Sequence, residues 1–517
     1  MKNRLSTYAI GLLVTLVLVT SFCHLTRDIR DNDFFWHLKS GQVIWENKAL
    51  PERDPFAYTT PAPESERVRF LLNSYWLGQV FFYLFYLAGD MPGIIVLRFI
   101  IAGLLCFVML KLRKGDKLLY LSLLAIFLAL VLKSYPLERP QLFSFIFFAV
   151  VLFLLERIKA EQEERAAPFL LPCTMLVWAN IHGGYALGIT IILLYITTEG
   201  LKFSHPALSP LSSKVYKRLV LAGTAAIVIS FVNPGTYHVF SKAVLFQPPK
   251  VISDNLEFQS TLSIFRIYGD YSILVYWSIL VCAVLALLID LRRADITKIA
   301  LIAGTGYFSF TTLRYVAFLL IAALPVIGEA FSRLRFFRAF RGVLYLAALA
   351  ITIYFAAPYT GLDTLKSGEW VDSRKFPVRA ADFIQQNDIK GNMYNYFNWG
   401  GYLIWRLGPG KKVFIDGRTL DSEVYEQTTY IDKAVADGQS GMPLWKYFLE
   451  KHQVNYIIIP SPRIGWSLPL FQALAGDRDW VPVFFDQTAA LFVKNSAVNS
   501  DIIEKYSPTE ERNTDIP

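Results

Sequence analysis

Residues 91–114, MPGIIVLRFIIAGLLCFVMLKLRK, combine a long apolar run with a basic end. An apolar run of about 20 residues is long enough to cross the hydrocarbon core of a bilayer as a helix. The run ends at a basic group, Lys111, Arg113 and Lys114, and basic loops are retained on the cytoplasmic side of a membrane. The stretch therefore predicts a membrane-spanning helix whose C-terminal end faces the cytoplasm.

The same pattern repeats along residues 1–357, where the loops predicted to face inward are basic. It predicts a polytopic α-helical membrane protein with about eleven spans, at about 8–25, 91–111, 117–134, 141–157, 168–180, 185–201, 219–233, 271–291, two spans flanking 311–314, and 342–357. Lys2 and Arg4 precede the first run and predict a cytoplasmic N-terminus. Two long outer loops, 26–90 and 234–270, follow, and 73–87 is predicted to be a helix lying along the interface.

Composition supports this class of protein. Of the 517 residues, 54% are hydrophobic and 18% are charged, against about 25% charged in soluble domains. The net charge of +9 resides largely in short loops between apolar runs, which argues against a nucleic-acid partner. We therefore expect a multi-pass membrane protein.

The C-terminal region differs from the rest of the chain. Residues 358–497 alternate short β-rich runs with helical stretches, which predicts a soluble α/β domain on the periplasmic side. The strands are predicted at 393–396, 412–415, 455–459, 481–485 and 489–493. The polar tail, 498–517, is predicted to be disordered.

The segment Arg30–His37 follows the first span and carries two aspartates, Asp31 and Asp33. Such a pair could share a divalent metal such as Mg²⁺ or Mn²⁺, or one carboxylate could act as a base. The alternative is a solvated helix start with Asp33 as its N-cap.

Other predicted outer turns carry groups suited to an anion. The guanidinium of Arg139 can bind two phosphate oxygens at once, although Glu138 beside it could neutralise it. His182 could donate to a phosphate or merely occupy a hairpin turn. Arg314 has no acid nearby in sequence, so it requires a protein carboxylate, a bound anion or a headgroup. Glu257 could be a solvated acid in a long loop.

The soluble domain contains Phe414–Arg418, a predicted strand that ends in Asp-Gly-Arg. Asp416 and Arg418 would lie at the carboxyl edge of a sheet, where α/β sites form, or would simply order a turn. The secondary candidates for the site are His37, Asn73, Glu138, Glu257, Asp416 and Arg418.

These motifs together resemble the GT-C class of membrane glycosyltransferases. Asp31-Asn32-Asp33 falls where that class keeps its catalytic acidic motif, and Arg139 falls where related mannosyltransferases place a functional arginine. Residues 396–402 look like the Trp-Trp-Asp-Tyr-Gly signature of oligosaccharyltransferase catalytic subunits. However, Asn398 precedes the tryptophan and no aspartate follows it, so recognition of an acceptor sequon is not carried over. Residues 31–38 and 414–418 are also similar to motifs of a group of bacterial membrane proteins.

The resemblance implies transfer of a sugar from a polyprenyl-phosphate donor in the membrane lipid to a glycan, lipid or protein acceptor at the periplasmic face. Asp33 would be the base, supported by Asp31, and a metal, if present, would be held by Asp31, Asp33 and Glu257. Arg139, His182 and Arg314 would bind the donor phosphate. We expect these three residues and Asp33 to line one cavity. The alternatives are a transporter or flippase of lipid-linked substrates and a non-enzymatic assembly factor.

Overall fold

The computed structural model describes residues 2–60, 66–135, 138–160, 166–205, 208–240, 255–289, 295–356, 362–436, 441–464 and 469–507. Residues 241–254 of the second predicted outer loop and residues 508–517 of the predicted tail lie outside the described residues. Contacts divide the chain into two compact units. We call residues 1–27 and 85–370 the helical unit, and residues 28–84 and 371–517 the α/β unit.

The helices of the first half, numbered in chain order, are α1 (Lys2–Leu25), α2 (Phe34–Asn47), α3 (Glu66–Asn73), α4 (Trp76–Lys111), α5 (Lys117–Ser134), α6 (Gln141–Lys159), α7 (Ala167–Ile181), α8 (Tyr185–Leu201), α9 (Ser213–Ile229) and α10 (Thr261–Tyr268). The remaining helices are α11 (Ser272–Ile289), α12 (Ile296–Thr311), α13 (Val316–Arg333), α14 (Arg335–Ala356), α15 (Leu362–Ser367), α16 (Val378–Gln386), α17 (Gly400–Leu407), α18 (Ser422–Asp432), α19 (Leu444–Lys451), α20 (Pro469–Ala475) and α21 (Ser500–Tyr506). The strands are β1 (Asn392–Asn395), β2 (Val454–Pro460), β3 (Trp480–Phe485) and β4 (Ala489–Lys494).

Apolar helices confirm a polytopic helical membrane protein. Within the described chain, seven are long and apolar enough to cross a bilayer: Thr7–Leu25, Val68–Lys111, Lys117–Ser134, Gln141–Lys159, Tyr185–Ser204, Ser272–Ile289 and Leu313–Arg333. Two shorter apolar helices are Ala167–Ile181 and Gly342–Phe355. The count of eleven spans stays a prediction, because α9 and α12 are helices at predicted positions but are shorter than a typical span.

The predicted interface helix and second span are joined in α4. The helix is kinked where Gly89 and Asp90 leave helical geometry, and Asp90 has a φ of 55°. Pro92 follows two residues later and has no N–H to donate into the helix. The kink therefore separates the two predicted segments without a loop between them.

Ion pairs join several helix ends of the helical unit. The Lys159 ammonium at the end of α6 lies 2.5 Å from Glu199 and 2.8 Å from Asp295. The Lys202 ammonium lies 2.8 Å from Glu199 and 2.5 Å from Asp295. The ends of α6 and α8 and the start of α12, all predicted to face inward, therefore meet in one place.

The α/β unit is built on a four-stranded sheet in the order β1-β2-β4-β3. Strands β1 and β2 are parallel, and the other two pairs are antiparallel. The predicted strand at 412–415 is wrong, since only Val413 forms a bridge, to Ala57. The carboxamide oxygen of Asn395 accepts from the N–H groups of Phe414 and Ile415 instead. A side chain thus replaces the ladder of a fifth strand.

Two boundaries differ from the predicted ones. Residues 28–84, expected to be a loop of the membrane domain, group with the C-terminal residues, and Ile29 forms a parallel bridge with Val371. In the predicted disordered tail, residues 500–506 form α21 instead. The Tyr506 hydroxyl donates to Asn387 at 2.8 Å and its ring packs on Phe383, which orders this segment.

Candidate functional site

The acidic motif begins α2. One carboxylate oxygen of Asp31 accepts from the N–H groups of Asp33 and Phe34, both at 2.9 Å. This satisfies N–H groups that the first turn of a helix leaves without a partner. Asp33 occupies the N-cap position, but its side chain makes no capping hydrogen bond. The side chain that caps the start of α2 is therefore that of Asp31, and not that of Asp33.

The Asp33 carboxylate lies against the backbone of Gly417. A Cβ atom on Gly417 would stand 1.9 Å from Oδ1 of Asp33, so a larger residue at position 417 would displace this carboxylate. Glycine at this position leaves room for the carboxylate in its observed place. The two motifs that contain Asp33 and Gly417 are thus in contact in the α/β unit.

A third motif, Asn398–Tyr402, reaches the same place through two glycines. A Cβ on Gly400 would stand 2.2 Å from the Ile415 carbonyl oxygen, and one on Gly401 would stand 2.3 Å from the Asn32 carbonyl oxygen. The sequence singled out these three motifs separately. The structure brings them together around the start of α2.

Arg418 forms ion pairs with two carboxylates. Its guanidinium lies 2.8 Å from Asp54 and 2.6 Å from Asp416, and all three side chains are nearly inaccessible to solvent. Burial alone would raise the pKa of Asp54, but the charge and hydrogen bonds of Arg418 hold that pKa below its usual value. Sequence reasoning found Asp416 and Arg418 and missed Asp54, which lies 364 residues from Arg418 and carries no motif that would reveal the pairing.

The described residues do not form a metal-binding site. No three His, Cys, Asp or Glu side chains in those ranges are grouped closely enough to hold one ion. One oxygen of Asp31, a proposed ligand, is occupied by two backbone N–H groups. No step proposed below depends on a metal.

In the helical unit, the predicted anion-binding residues come together around one segment. The Arg139 guanidinium pairs with Glu257 at 2.6 Å. Next to Glu257, the ring of Phe258 lies 4.9 Å from the Arg314 guanidinium. Gln259 accepts from the N–H of Leu313 at 2.9 Å. Within the described residues, Arg314 forms no ion pair.

Tyr135 fixes the turn that holds Arg314. Its hydroxyl donates to the Leu313 carbonyl at 3.2 Å and accepts from the Ala317 N–H at 3.0 Å. These two groups flank Arg314 in sequence. Sequence reasoning missed this role, because nothing in a tyrosine between Ser134 and a proline indicates a distant turn as its partner.

His182 lies in the turn between α7 and α8. Its Nδ1 accepts from the Gly184 N–H at 3.0 Å and lies 2.8 Å from Oγ of Ser144. Trp178 donates to that same Oγ, so the serine hydrogen can point to Nδ1. The neutral ring then carries its hydrogen on Nε2. Burial lowers the pKa of His182, and the positive charge of Arg314 lowers it further.

Glu138 does not neutralise Arg139, which was the alternative interpretation of this turn. It pairs with Arg98 of α4, and both side chains are buried. Arg98 also donates to the carbonyl oxygens of Leu25 and Arg27, at 2.9 and 2.6 Å. A signal for this group existed in the sequence, because Arg98 is a charged residue inside a predicted span.

The candidates thus fall into two sets. Asp31, Asp33, Asp416 and Arg418 meet in the α/β unit, which also contains His37 and Asn73. Arg139, His182, Glu257 and Arg314 belong to the helical unit. The single cavity expected for Asp33, Arg139, His182 and Arg314 stays a prediction.

Solved structures of two membrane enzymes resemble this chain. Archaeal oligosaccharyltransferase AglB from Archaeoglobus fulgidus, in complex with an inhibitory peptide and a dolichol-phosphate, matches with a TM-score of 0.56 at 11% identity, over 94% of this chain and 74% of that one. ArnT from Cupriavidus metallidurans bound to undecaprenyl phosphate matches with a TM-score of 0.53 at 14% identity, over 95% of this chain and 98% of that one. No family model and no curated protein sequence matches the chain. At these identities the likeness establishes the fold.

Proposed function

Because the chain has the GT-C fold, we propose that it is a membrane glycosyltransferase. It takes a sugar from a polyprenyl-phosphate carrier and transfers it to an acceptor hydroxyl of a glycan, lipid or protein. The reaction takes place at the periplasmic face of the bacterial inner membrane. The solved structures with dolichol-phosphate and undecaprenyl phosphate support a lipid phosphate as the ligand class.

The observation that carries the proposal is the unmatched charge at Arg314. Arg139 is balanced by Glu257, whereas Arg314 lies over the ring of Phe258 and has no ion pair in the described part of the chain. A half-buried guanidinium attracts an anion strongly, and its planar fork fits phosphate oxygens. The buried ring of His182, which senses the charge of Arg314, is a further group of the proposed site.

The transfer follows from these groups. Asp33 removes the proton of the acceptor hydroxyl, and the acceptor oxygen forms a bond with the anomeric carbon. The bond between that carbon and the phosphate oxygen breaks, and the lipid phosphate leaves with the additional negative charge. Arg314, Arg139 and His182 stabilise this charge as it develops. Asp31 fixes the helix start from which Asp33 projects.

Binding of undecaprenyl phosphate to the full chain in detergent tests the phosphate site. Arg314→Gln should weaken binding by about 10-fold to 100-fold, since hydrogen bonds to charged groups contribute about 1.5–3 kcal/mol. Arg463→Gln is the matched control, because Arg463 also lies over a phenyl ring, that of Phe485. Equal affinity in the wild type and Arg314→Gln would exclude Arg314 from the phosphate site.

A second variant tests the base. Asp33→Asn should bind undecaprenyl phosphate as the wild type does, while transfer of labelled sugar from membrane lipids falls by about 100-fold or more. Transfer at the wild-type rate would remove Asp33 from the mechanism.

A further inference from the structure

Five side chains of residues 28–84 have a buried polar atom with no hydrogen-bond partner among the described residues. These atoms are Oδ1 of Asn32, Nε1 of Trp36, Oδ1 of Asn73, Oγ of Ser74 and Oε1 of Gln79. Buried polar groups are almost always hydrogen bonded, so a concentration of exceptions in one segment requires a physical reason.

Ring contacts and one polar contact join part of this set into a cluster. The rings of Trp36 and His37 lie 3.5 Å apart, and the Tyr75 ring lies 5.6 Å from His37 and 6.4 Å from Trp36. Nε2 of Gln79 lies 3.3 Å from Nδ1 of His37. We call these four residues the Gln79 cluster; Asn73 and Ser74 directly precede its Tyr75.

The Gln79 cluster adjoins the start of α2. The N–H of His37 donates to the Asp33 carbonyl at 3.2 Å. The Trp36 ring lies 6.0 Å from the Arg418 guanidinium, and a Cβ on Gly401 would stand 3.3 Å from Trp36. Trp36 and His37 of the cluster therefore lie within one helical turn of the proposed base, and Gln79 is in contact with His37.

The chemistry of these atoms narrows the ligand. Trp36 Nε1–H only donates, the amide oxygens of Gln79 and Asn73 only accept, and the Ser74 hydroxyl does both. A phosphate could only accept and would leave the amide oxygens unsatisfied. A cation would be repelled by the Trp36 N–H. Hydroxyl groups both donate and accept, and an uncharged ring fits against aromatic side chains.

We propose that the Gln79 cluster, together with Asn73 and Ser74, binds the hydroxyl groups of a sugar ring. The assignment rests on the proposed function and adds to it a site for the sugar. Gln79 is fully buried, and Ser74 and Trp36 are 2% and 5% exposed, so the site is desolvated and selective. A ligand that lacks the matching hydroxyl leaves these atoms unpaired and is rejected.

Thermal unfolding of the full chain in detergent, with a panel of methyl glycosides of glucose, mannose, galactose and N-acetylglucosamine, tests the site. A glycoside that binds only the folded state raises Tm by an amount that grows with the ratio of its concentration to Kd. We expect at least one of the panel to raise the Tm of the wild type, and Gln79→Met to weaken its affinity by 10-fold or more.

Gln427 provides a matched control in the same unit. It is buried like Gln79, but its Oε1 lies 2.7 Å from Nε2 of His452 and its Nε2 donates to Glu423 at 2.9 Å. Gln427→Met should lower Tm and leave glycoside affinity within 2-fold of the wild type. No Tm shift with any glycoside, or an equal loss of affinity in both variants, would overturn the sugar site and indicate that water fills it.

The sugar could belong to the donor or to the acceptor. If it belongs to the donor, Gln79→Met weakens binding of an undecaprenyl-phosphate monosaccharide more than binding of undecaprenyl phosphate. If it belongs to the acceptor, both lipids bind unchanged and only the glycoside loses affinity. The proposed function is tested separately from the sugar site. If undecaprenyl phosphate binding depends on Arg314 and not on Gln79, the proposed function is supported even where no glycoside binds.

Discussion

Arg418 and Arg314 illustrate two uses of the same side chain. Arg418, in the α/β unit, pairs with Asp54 and Asp416 and is almost completely buried. Arg314, in the helical unit, lies over a phenyl ring and has no ion pair within the described ranges. A guanidinium that protein carboxylates match cannot be removed without leaving buried charges unpaired, whereas one that they leave unmatched attracts a ligand anion.

Arg418→Met gives the largest expected effect. The substitution leaves Asp54 and Asp416 buried without their counter-charge, which costs about 3–5 kcal/mol. Thermal unfolding of the purified chain should show a large drop in Tm. Arg314→Met should lower Tm little, since it removes no ion pair. Similar Tm values for both variants would contradict the distinction between them.

Gly417→Ala tests whether the segment that contains Arg418 also holds Asp33 in place. The new methyl group would meet Oδ1 of Asp33 at 1.9 Å and displace it, and a shift of about 1 Å at a reacting group costs about 100-fold in rate. The measurement is transfer of labelled sugar in membranes. Gly410→Ala is the control, because the nearest atom to its Cβ would be 3.9 Å away, on Leu407. Wild-type transfer by Gly417→Ala would show that Asp33 need not occupy its observed place.

Asp432 is a buried carboxyl group whose hydrogen-bond partner among the described residues is a neutral hydroxyl, that of Tyr394. Burial raises the pKa of Asp432 to about 7, although Tyr394 donates to it at 2.7 Å and lowers the pKa in part. The folded state then keeps a proton that the unfolded chain loses near pH 4, so this contribution to stability falls as pH rises from about 4 to 7.

Asp432→Asn removes that titration and keeps the acceptor for Tyr394. The free energy of unfolding of the variant relative to the wild type should rise between pH 5 and 7 by about 1 kcal/mol per pH unit or less and level off above pH 7. The difference in Tm between the two proteins, measured across this range, should follow it. A constant difference across this range would contradict a raised pKa.

Tyr135→Phe should have the smallest effect. It removes two hydrogen bonds to the turn of Arg314 and loosens that turn by about 1 kcal/mol. Undecaprenyl phosphate should bind about 5-fold more weakly, with a fall in Tm much smaller than that of Arg418→Met. Tyr276→Phe, which loses a hydroxyl contact with Ser309 at 2.9 Å, is the control and should leave lipid affinity unaltered.

Sequence reasoning recovered what depends on local pattern. Apolar runs and basic loops gave the helices, and the alternation after residue 358 gave four of the strands. It failed at 412–415, because an extended apolar stretch indicates a strand whether its N–H groups bond to a neighbour or to a side chain such as that of Asn395.

The candidate site was predictable only in part for a similar reason. Asp33, Arg139 and Arg314 stand out as charged groups in apolar or aromatic surroundings, so they could be chosen without knowing their neighbours. Asp54 and Tyr135 act through partners 364 and 178 residues away. Those pairings arise from tertiary packing, which a single sequence does not reveal.

The position of Arg98 has a consequence for biogenesis. As a nascent segment, the second half of α4 carries a guanidinium into lipid, where an unaccompanied charge is strongly disfavoured. Its carbonyl acceptors at Leu25 and Arg27 have already been synthesised, but Glu138 emerges from the ribosome only after the whole of α5. We therefore expect the buried position of Arg98 to become stable only after the chain has been synthesised past α5, when Glu138 is present.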